Sequence, residues 1–392
     1  MRSSYVEVDL EALRKNAAYL RQKLSPGARL LCAVKGDAYG HGLVECSRVL
    51  AQCGADFFGV ALAEEGVQLR QAGISTPILV FGYTFSDNYD LLFNYDLRPN
   101  VFTLEQALEL NALAGQRGVR LSVHLSVDTG LTRLGFTLNE ATPALFKRIA
   151  ELPHLFVEGL FSQFATVDLY PERSFIDLQL RRFLDLCKTL EGMGVRIPIR
   201  HICDSAATLL LPEAHLDMVR PGTSLFGMYC CEAFEHMPGA VVYPTMALKS
   251  RLAMVRPIPA GTPVSYNSTW VSPRSGVLGV VPCGFVDGIS RIASNQGFVL
   301  LHGRRCPIVG NVCMDQFMID ITGIDQPRVG DEIVLVGAQG SEEITLAEAA
   351  GWAGTSDTEL AARFGKRLPR IYLNQSDAGS VQGSSDSMRD GG

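Results

Sequence analysis

The sequence predicts an α/β protein, a (β/α)8 barrel of the TIM type followed by a mostly antiparallel β domain. Three observations carry this prediction. Apolar strand-like runs recur eight times within about 210 residues. Segments of helical period separate them, each long enough to cross back over a sheet. From about Gly239 onward the pattern changes to short β-branched runs separated by Pro, Gly and Asn. A doubly wound sheet competes with the barrel, but the glycine-rich phosphate fingerprint expected after its first strand is missing.

In chain order, Val6 to Leu10 alternates apolar and polar residues, and Asp9 can cap a helix over Leu10 to Leu24 that Pro26-Gly27 ends. The eight strand-like runs are Leu30 to Lys35, Phe57 to Leu62, Ile78 to Gly82, Leu97 to Phe102, Leu121 to Val127, Phe156 to Gln163, Ile197 to Cys203 and Leu216 to Arg220. Val60 to Arg70 and Leu104 to Ala114 have helical spacing. Beyond Gly239, Met246 to Val255, Gly276 to Val281, Gly297 to Leu301 and Asp331 to Val336 read as strands, with short helices at Leu346 to Trp352 and Thr358 to Phe364. The expected division is a barrel over residues 1–238, its first strand free to pack on the C-terminal domain, a β domain over 239–375, and a disordered polar tail over 376–392.

Composition narrows the function. With 392 residues, 47% hydrophobic and 19% charged, the chain buries a large core. A net charge of −6 argues against a nucleic-acid surface. No signal-peptide core or uninterrupted membrane-length apolar run occurs, so a cytoplasmic protein without a membrane partner is expected. The 10 cysteines include the adjacent Cys230-Cys231 but no Cys-x-x-Cys, which favours reduced structural thiols over disulfides or a metal site.

The chemistry centres on Leu30 to Gly42, where an apolar run ends in Lys35 and breaks into glycine-rich loop. A cation at the mouth of a buried strand faces a cavity or solvent. A partly buried amine has a depressed pKa and can attack carbonyls to form a Schiff base. On the barrel reading, further polar residues collect at strand ends on the same face: Arg133, Gln163, His201, Asp204, Ser205 and Arg220. Ser205, Gly222 and Thr223 suit a phosphate, which commonly binds where loops after strands seven and eight converge. Singly, His201 is an ordinary barrel histidine and Gly222 a turn; their convergence is the argument.

Ala33-Val34-Lys35-Gly36-Asp37-Ala38-Tyr39-Gly40-His41-Gly42 resembles the pyridoxal-phosphate attachment signature of the alanine racemase family, among the fold type III pyridoxal-phosphate enzymes. Six more segments resemble that family in the same order. They are Val127 to Gly135, His201 to Ala206, Val219 to Gly222, Val264-Ser265-Tyr266, Val312 to Gln316 and Pro369 to Tyr372. The resemblance implies an isomerase that interconverts L- and D-alanine with pyridoxal 5'-phosphate, supplying D-alanine for biosynthesis. It implies Lys35 as covalent anchor of the cofactor and base on one face of Cα. Tyr266 would be the base on the other face, donated across a homodimer interface. Arg220 would face the pyridine nitrogen with His201 behind it. Tyr39, Ser205, Gly222, Thr223 and Tyr372 would hold the phosphate, and Arg133 and Met314 would meet the substrate carboxylate.

The chain departs from the family at several points. Ser126 stands where many members carry a lysine that becomes carbamylated and orients the carboxylate-binding arginine. Another group, water or an anion such as chloride must orient Arg133. Phe285 replaces a frequent tyrosine and Gln163 a frequent histidine, so a broader serine/alanine racemase is an alternative. A pyridoxal-phosphate amino-acid decarboxylase is disfavoured, because it wants an acidic residue at the pyridine nitrogen and Arg220 stands there. A non-catalytic cofactor-binding barrel would lack the Tyr266 and Met314 segments.

Overall fold

The structure, a computed structural model, describes residues 2–375; the tail expected over 376–392 lies outside the described residues. Strand β1 (Tyr5–Asp9) leads into a helix, Leu10–Lys23, whose first turn is capped as its sequence requires. Asp9 Oδ1 accepts from Glu11 N at 2.9 Å and Ala12 N at 3.2 Å, satisfying amides that have no partner inside the helix. Leu10, Leu13, Ala17 and Leu20, spaced at three to four residues, bury one face of it.

Eight parallel strands follow: β2 (Arg29–Ala33), β3 (Phe57–Val60), β4 (Ile78–Val80), β5 (Leu97–Val101), β6 (Leu121–Asp128), β8 (Leu155–Phe161), β9 (Ile199–His201) and β10 (Met218–Val219). The two-residue β7 (Phe136–Thr137) pairs onto β6. Their order, β10-β2-β3-β4-β5-β6-β8-β9, is that of a barrel whose last seam lies between β9 and β10. Isolated bonds bridge that seam: Asp217 N to Arg200 O at 3.1 Å, Arg220 N to Cys203 O at 2.9 Å, and the Arg200–Asp217 ion pair at 2.7 Å. The strands are apolar on both faces because helices cover the outside. Leu31, Phe57, Leu79, Ile199 and Met218 fill one layer of the interior.

The remaining strands build a second, mostly antiparallel sheet: β11 (Met246–Arg251), β12 (Met254–Ile258), β15 (Gly276–Val281), β16 (Phe298–Leu301), β17 (Arg304–Val309), β18 (Phe317–Asp320), β19 (Glu332–Gln339), β20 (Glu342–Ile344) and β21 (Arg370–Leu373). β13 (Pro263–Val264) and β14 (Trp270–Val271) form a separate hairpin. β1 joins this sheet, antiparallel to β11 and parallel to β21. Met246 to Val255, a single run in the sequence, is two strands, because the chain turns between Arg251 and Met254. No helix among the described residues is long and apolar enough to cross a membrane.

Candidate active site

Lys35 follows the carboxyl end of β2, where Ala33 N bonds Pro221 O at 3.0 Å and Val34 N bonds Gly59 O at 2.8 Å. The chain then turns left-handed for five residues: Gly36, Asp37, Ala38, Tyr39 and Gly40 have φ of 65°, 56°, 54°, 53° and 81°. Such a run is costly for residues with a Cβ and persists only where its surroundings enforce it. The Glu65 carboxylate does much of that. Its Oε1 accepts from Gly36 N at 2.7 Å and Asp37 N at 3.4 Å, and its Oε2 from Ala61 N at 2.8 Å and Leu62 N at 3.2 Å. Asp37 Oδ1 takes Leu43 N at 2.7 Å. Buried His41 donates through Nδ1 to the carbonyls of Ala38 and Tyr39, and its Nε2 meets Thr245 Oγ1 at 2.8 Å. A Cβ at Gly40 would stand 2.2 Å from Ala361 O, so that approach requires glycine.

The half-buried Lys35 side chain opens into a cavity of about 520 Å³, in the range that small-molecule and cofactor sites occupy. Tyr39, Arg133, Gln163, Asp204, Ser205, Arg220, Gly222 and Thr223 also line it. Burial lowers the Lys35 pKa, and the cations of Arg133 and Arg220 push it the same way, so the neutral amine is favoured. Burial raises Asp204 and lifts Tyr39 to about 12.

Arg220 is buried and held from several sides. Its Nη1 donates to His201 Nδ1 at 3.0 Å, and its Nη2 to Ser162 O at 2.8 Å, Gln163 Oε1 at 2.8 Å and Ile202 O at 3.1 Å. Burial brings its pKa down to about 10, still charged at neutral pH. Gln163 donates in turn to Asp204 Oδ2 at 2.7 Å. Ser205 Oγ accepts from Gly222 N at 2.8 Å and Ser224 N at 3.4 Å, tying the loops after β9 and β10 together. A Cβ on Gly222 would stand 2.3 Å from the Tyr39 hydroxyl, so only glycine lets these two close on one space.

Arg133 is exposed, on a loop held by Asp128 Oδ1, which accepts from Gly130 N at 2.8 Å and Thr132 N at 3.1 Å. Beside it Ser126 Oγ and Asn100 Oδ1 are buried at the cavity wall with no hydrogen-bond partner among the described residues. His201 lies behind Arg220. Tyr372, on β21, packs its hydroxyl against Gly42. Tyr266 and Met314 are not in this cavity: they are 67% and 55% exposed on the second sheet's side of the molecule, where Phe285 and Val286 are also exposed. Phe285 N bonds Cys313 O at 3.0 Å and Val286 N bonds Met314 O at 3.2 Å, so these loops are one surface.

Sequence reasoning missed Glu65, Asn100, Asp168, Tyr229, Cys230 and the Ser356-Asp357-Thr358 segment, all but Glu65 in the cavity wall. Only Glu65 left a trace, as an acid in the first turn of a helix directly after a strand.

A barrel with a strand-end lysine facing a polar cavity, joined to an antiparallel β domain, defines a two-domain barrel enzyme. Comparison with known proteins gives the particular family. Residues 8–230 match the model of the alanine racemase N-terminal domain and residues 245–372 that of the C-terminal domain. Alanine racemases of Symbiobacterium thermophilum and Halothermothrix orenii are 40% and 39% identical to it, over 95% of this chain and 97% and 98% of theirs. Among solved structures, the alanine racemase of Clostridium difficile 630 superposes with a TM-score of 0.90 at 31% identity, covering 95% of this chain and 96% of that one. The alanine racemase from D-cycloserine-producing Streptomyces lavendulae gives 0.90 at 35% identity over 96% and 98%. The chain belongs to the alanine racemase family. A Bartonella henselae alanine racemase with covalently bound pyridoxal phosphate shares the fold, with a TM-score of 0.85 at 24% identity over 95% and 100%.

Proposed function

We propose that this chain racemises alanine with pyridoxal 5'-phosphate held in the Lys35 cavity. The observation that carries the reading is Lys35 itself, an amine with a lowered pKa fixed by a left-handed turn at a cavity of about 520 Å³. The lining suits the cofactor. Gly222 and Tyr39 close on a space that a Cβ would fill, and Ser126 Oγ and Asn100 Oδ1 are buried polar atoms left for a guest. On this reading Ser205, Gly222, Thr223, Tyr39 and Tyr372 surround the phosphate, Tyr372 through its contact with the Gly42 loop.

When bound, pyridoxal phosphate supplies an electron sink that acidifies the Cα–H of an amino acid joined to it. Lys35 Nζ takes or returns that proton on one face. Tyr266 of the partner subunit serves the other face, since a base fixed on one side returns its proton to that side and inversion calls for a donor on the opposite one. The exposure of Tyr266, Phe285 and Met314 on one surface supports a homodimer in which each copy completes its partner's cavity. Arg220 donates hydrogen bonds and keeps its proton, so it would hold a pyridine nitrogen facing it without protonating it, which would keep the sink weak. A weak sink would favour return of the proton to Cα, and so racemisation over transamination. Arg133 and Met314 meet the carboxylate. The two units divide near residues 238 and 239, a reading supported by the change from parallel to antiparallel pairing there. A cytoplasmic enzyme of D-alanine biosynthesis fits these parts.

The test is D/L interconversion across a panel that includes alanine and serine, followed by α-proton exchange in deuterated buffer. Exchange with alanine is expected; no exchange with any member refutes the reading.

A further inference from the structure

Behind Arg220 a line of polar groups runs from buried His201 and His124 out to half-buried Glu158 and Arg98 and exposed Asp96, and the proposed function makes no use of its far members. His201 Nε2 lies 2.9 Å from His124 Nδ1, and His124 Nε2 lies 3.3 Å from Glu158 Oε2. Glu158 also accepts from Arg98 Nε at 3.4 Å, and Arg98 pairs with Asp96 at 2.8 Å. Two departures from regular barrel geometry make room for this. The β6–β8 register shifts so that Val123 faces Val157 while His124 faces Gly159, leaving Glu158 as the extra residue of a bulge. At Gly159 a Cβ would stand 2.2 Å from His124 Nδ1, so the imidazole occupies the space a side chain would need. The Phe161 ring stacks on His201 at 4.9 Å and 10°, fixing its plane.

Every proton in this line is dictated by its first member. Arg220 only donates, so His201 Nδ1 accepts and the neutral ring carries its hydrogen on Nε2. That hydrogen is donated to His124 Nδ1, so His124 carries its own on Nε2 and donates it to the Glu158 carboxylate. Reversing any one bond sets two N–H groups against each other in a dry interior.

We propose that Glu158 and His124 are positioning residues for the reaction at Lys35, acting through His201 to strengthen and orient the hydrogen bond that holds the Arg220 guanidinium in place. The carboxylate anchors the line electrostatically. It makes His124, and through it His201, a stronger acceptor for Arg220, as a carboxylate does for a metal-bound histidine. Burial pushes both histidine pKa values down, keeping the rings neutral as the argument requires. Burial pushes Glu158 up, but its bonds to His124 and Arg98 outweigh this and hold it ionised. Nη2 of Arg220 is taken up by three carbonyl acceptors. With Nη1 tied to His201, the guanidinium is fixed at the cavity wall.

This inference rests on the proposed function only for its kinetic arm. In the cofactor-loaded protein carrying 15N-histidine, both rings should show a hydrogen on Nε2. Glu158→Ala should change the His124 and His201 signals, lower kcat for alanine about tenfold and leave KM within twofold. Glu158→Gln keeps an acceptor at Oε1 and should restore the imidazole pattern and most of kcat. Normal kcat in Glu158→Ala despite shifted imidazole signals would overturn the proposal. So would a loss of kcat with unaltered imidazole signals, which marks a merely structural role. A wild-type protein that racemises nothing sinks the function and leaves the tautomer pattern testable.

Discussion

Glu65 offers the sharpest test of how the site is built. Three residues of the turn after Lys35 carry a Cβ, and each costs about 1–2 kcal/mol in the left-handed region, so the turn carries roughly 3–6 kcal/mol of strain. Against it stand four backbone N–H groups donating to one carboxylate. Gly36, Asp37 and Leu62 are exposed, so water partly replaces Glu65 when it is removed, and each bond is worth about 1 kcal/mol net. Only Gly36 N and Asp37 N belong to the turn, so Glu65→Ala should favour relaxed turns by about 2 kcal/mol, roughly thirtyfold in population. The contacts of His41 and Gly40 retain part of the turn, so cofactor affinity should fall between about three- and thirtyfold. The assay is titration of cofactor-free protein followed by visible absorbance, with circular dichroism to show that the barrel persists. Glu65→Gln, which keeps one accepting oxygen, should lie between the two. Wild-type affinity in Glu65→Ala would refute the assignment of the turn to Glu65.

Tyr266→Phe should leave a protein that binds cofactor normally and racemises about 10²–10⁴-fold more slowly in both directions, measured by D/L interconversion. Full activity would remove Tyr266 from its role. Because Ser126 leaves a buried unpartnered hydroxyl where Arg133 needs a support, activity of a halide-free preparation should rise on adding chloride; indifference to halide points to direct hydrogen bonding or water. Arg2→Ala should cost about 2–3 kcal/mol at neutral pH by urea denaturation, because Asp287, 0% exposed, loses two bonds of 2.7 and 2.8 Å while keeping Arg367 at 3.4 Å. Burial raises the Asp287 pKa, but Arg2 and the Gly284 N–H outweigh it and the net shift is downward. That stability is present above the usual carboxylate range and lost as pH falls through the depressed value, so the gap between variant and wild type should close on acidification.

The barrel was legible because its strands are buried on both faces, which leaves unbroken apolar runs that end in the residues of the site. Lys35 and Arg220 stand out for that reason, as cations closing apolar stretches. The left-handed turn was not legible, since Ala38 and Tyr39 have no preference for positive φ and adopt it through contacts with residues far away in the chain. Glu158 and His124 were hidden differently. A charged residue inside an apolar run reads as outward-facing by alternation, and only the bulge before Gly159 turns it into the line behind Arg220. Tyr266 and Met314 were found by resemblance; in a single chain they are merely exposed residues on loops.

The fastening of the Lys35 loop also bears on how the protein is made. His41 is held by Thr245, Gly40 lies against Ala361 and its carbonyl accepts from Arg370 Nε at 3.0 Å, and Gly42 meets Tyr372. These partners leave the ribosome after more than 200 further residues, a delay on the order of tens of seconds at 5–20 residues/s. Until then the loop has Glu65 and its own local bonds but lacks these later fastenings. The fully fastened turn after Lys35 thus belongs to the finished polypeptide, because the second sheet supplies contacts that the barrel alone does not have.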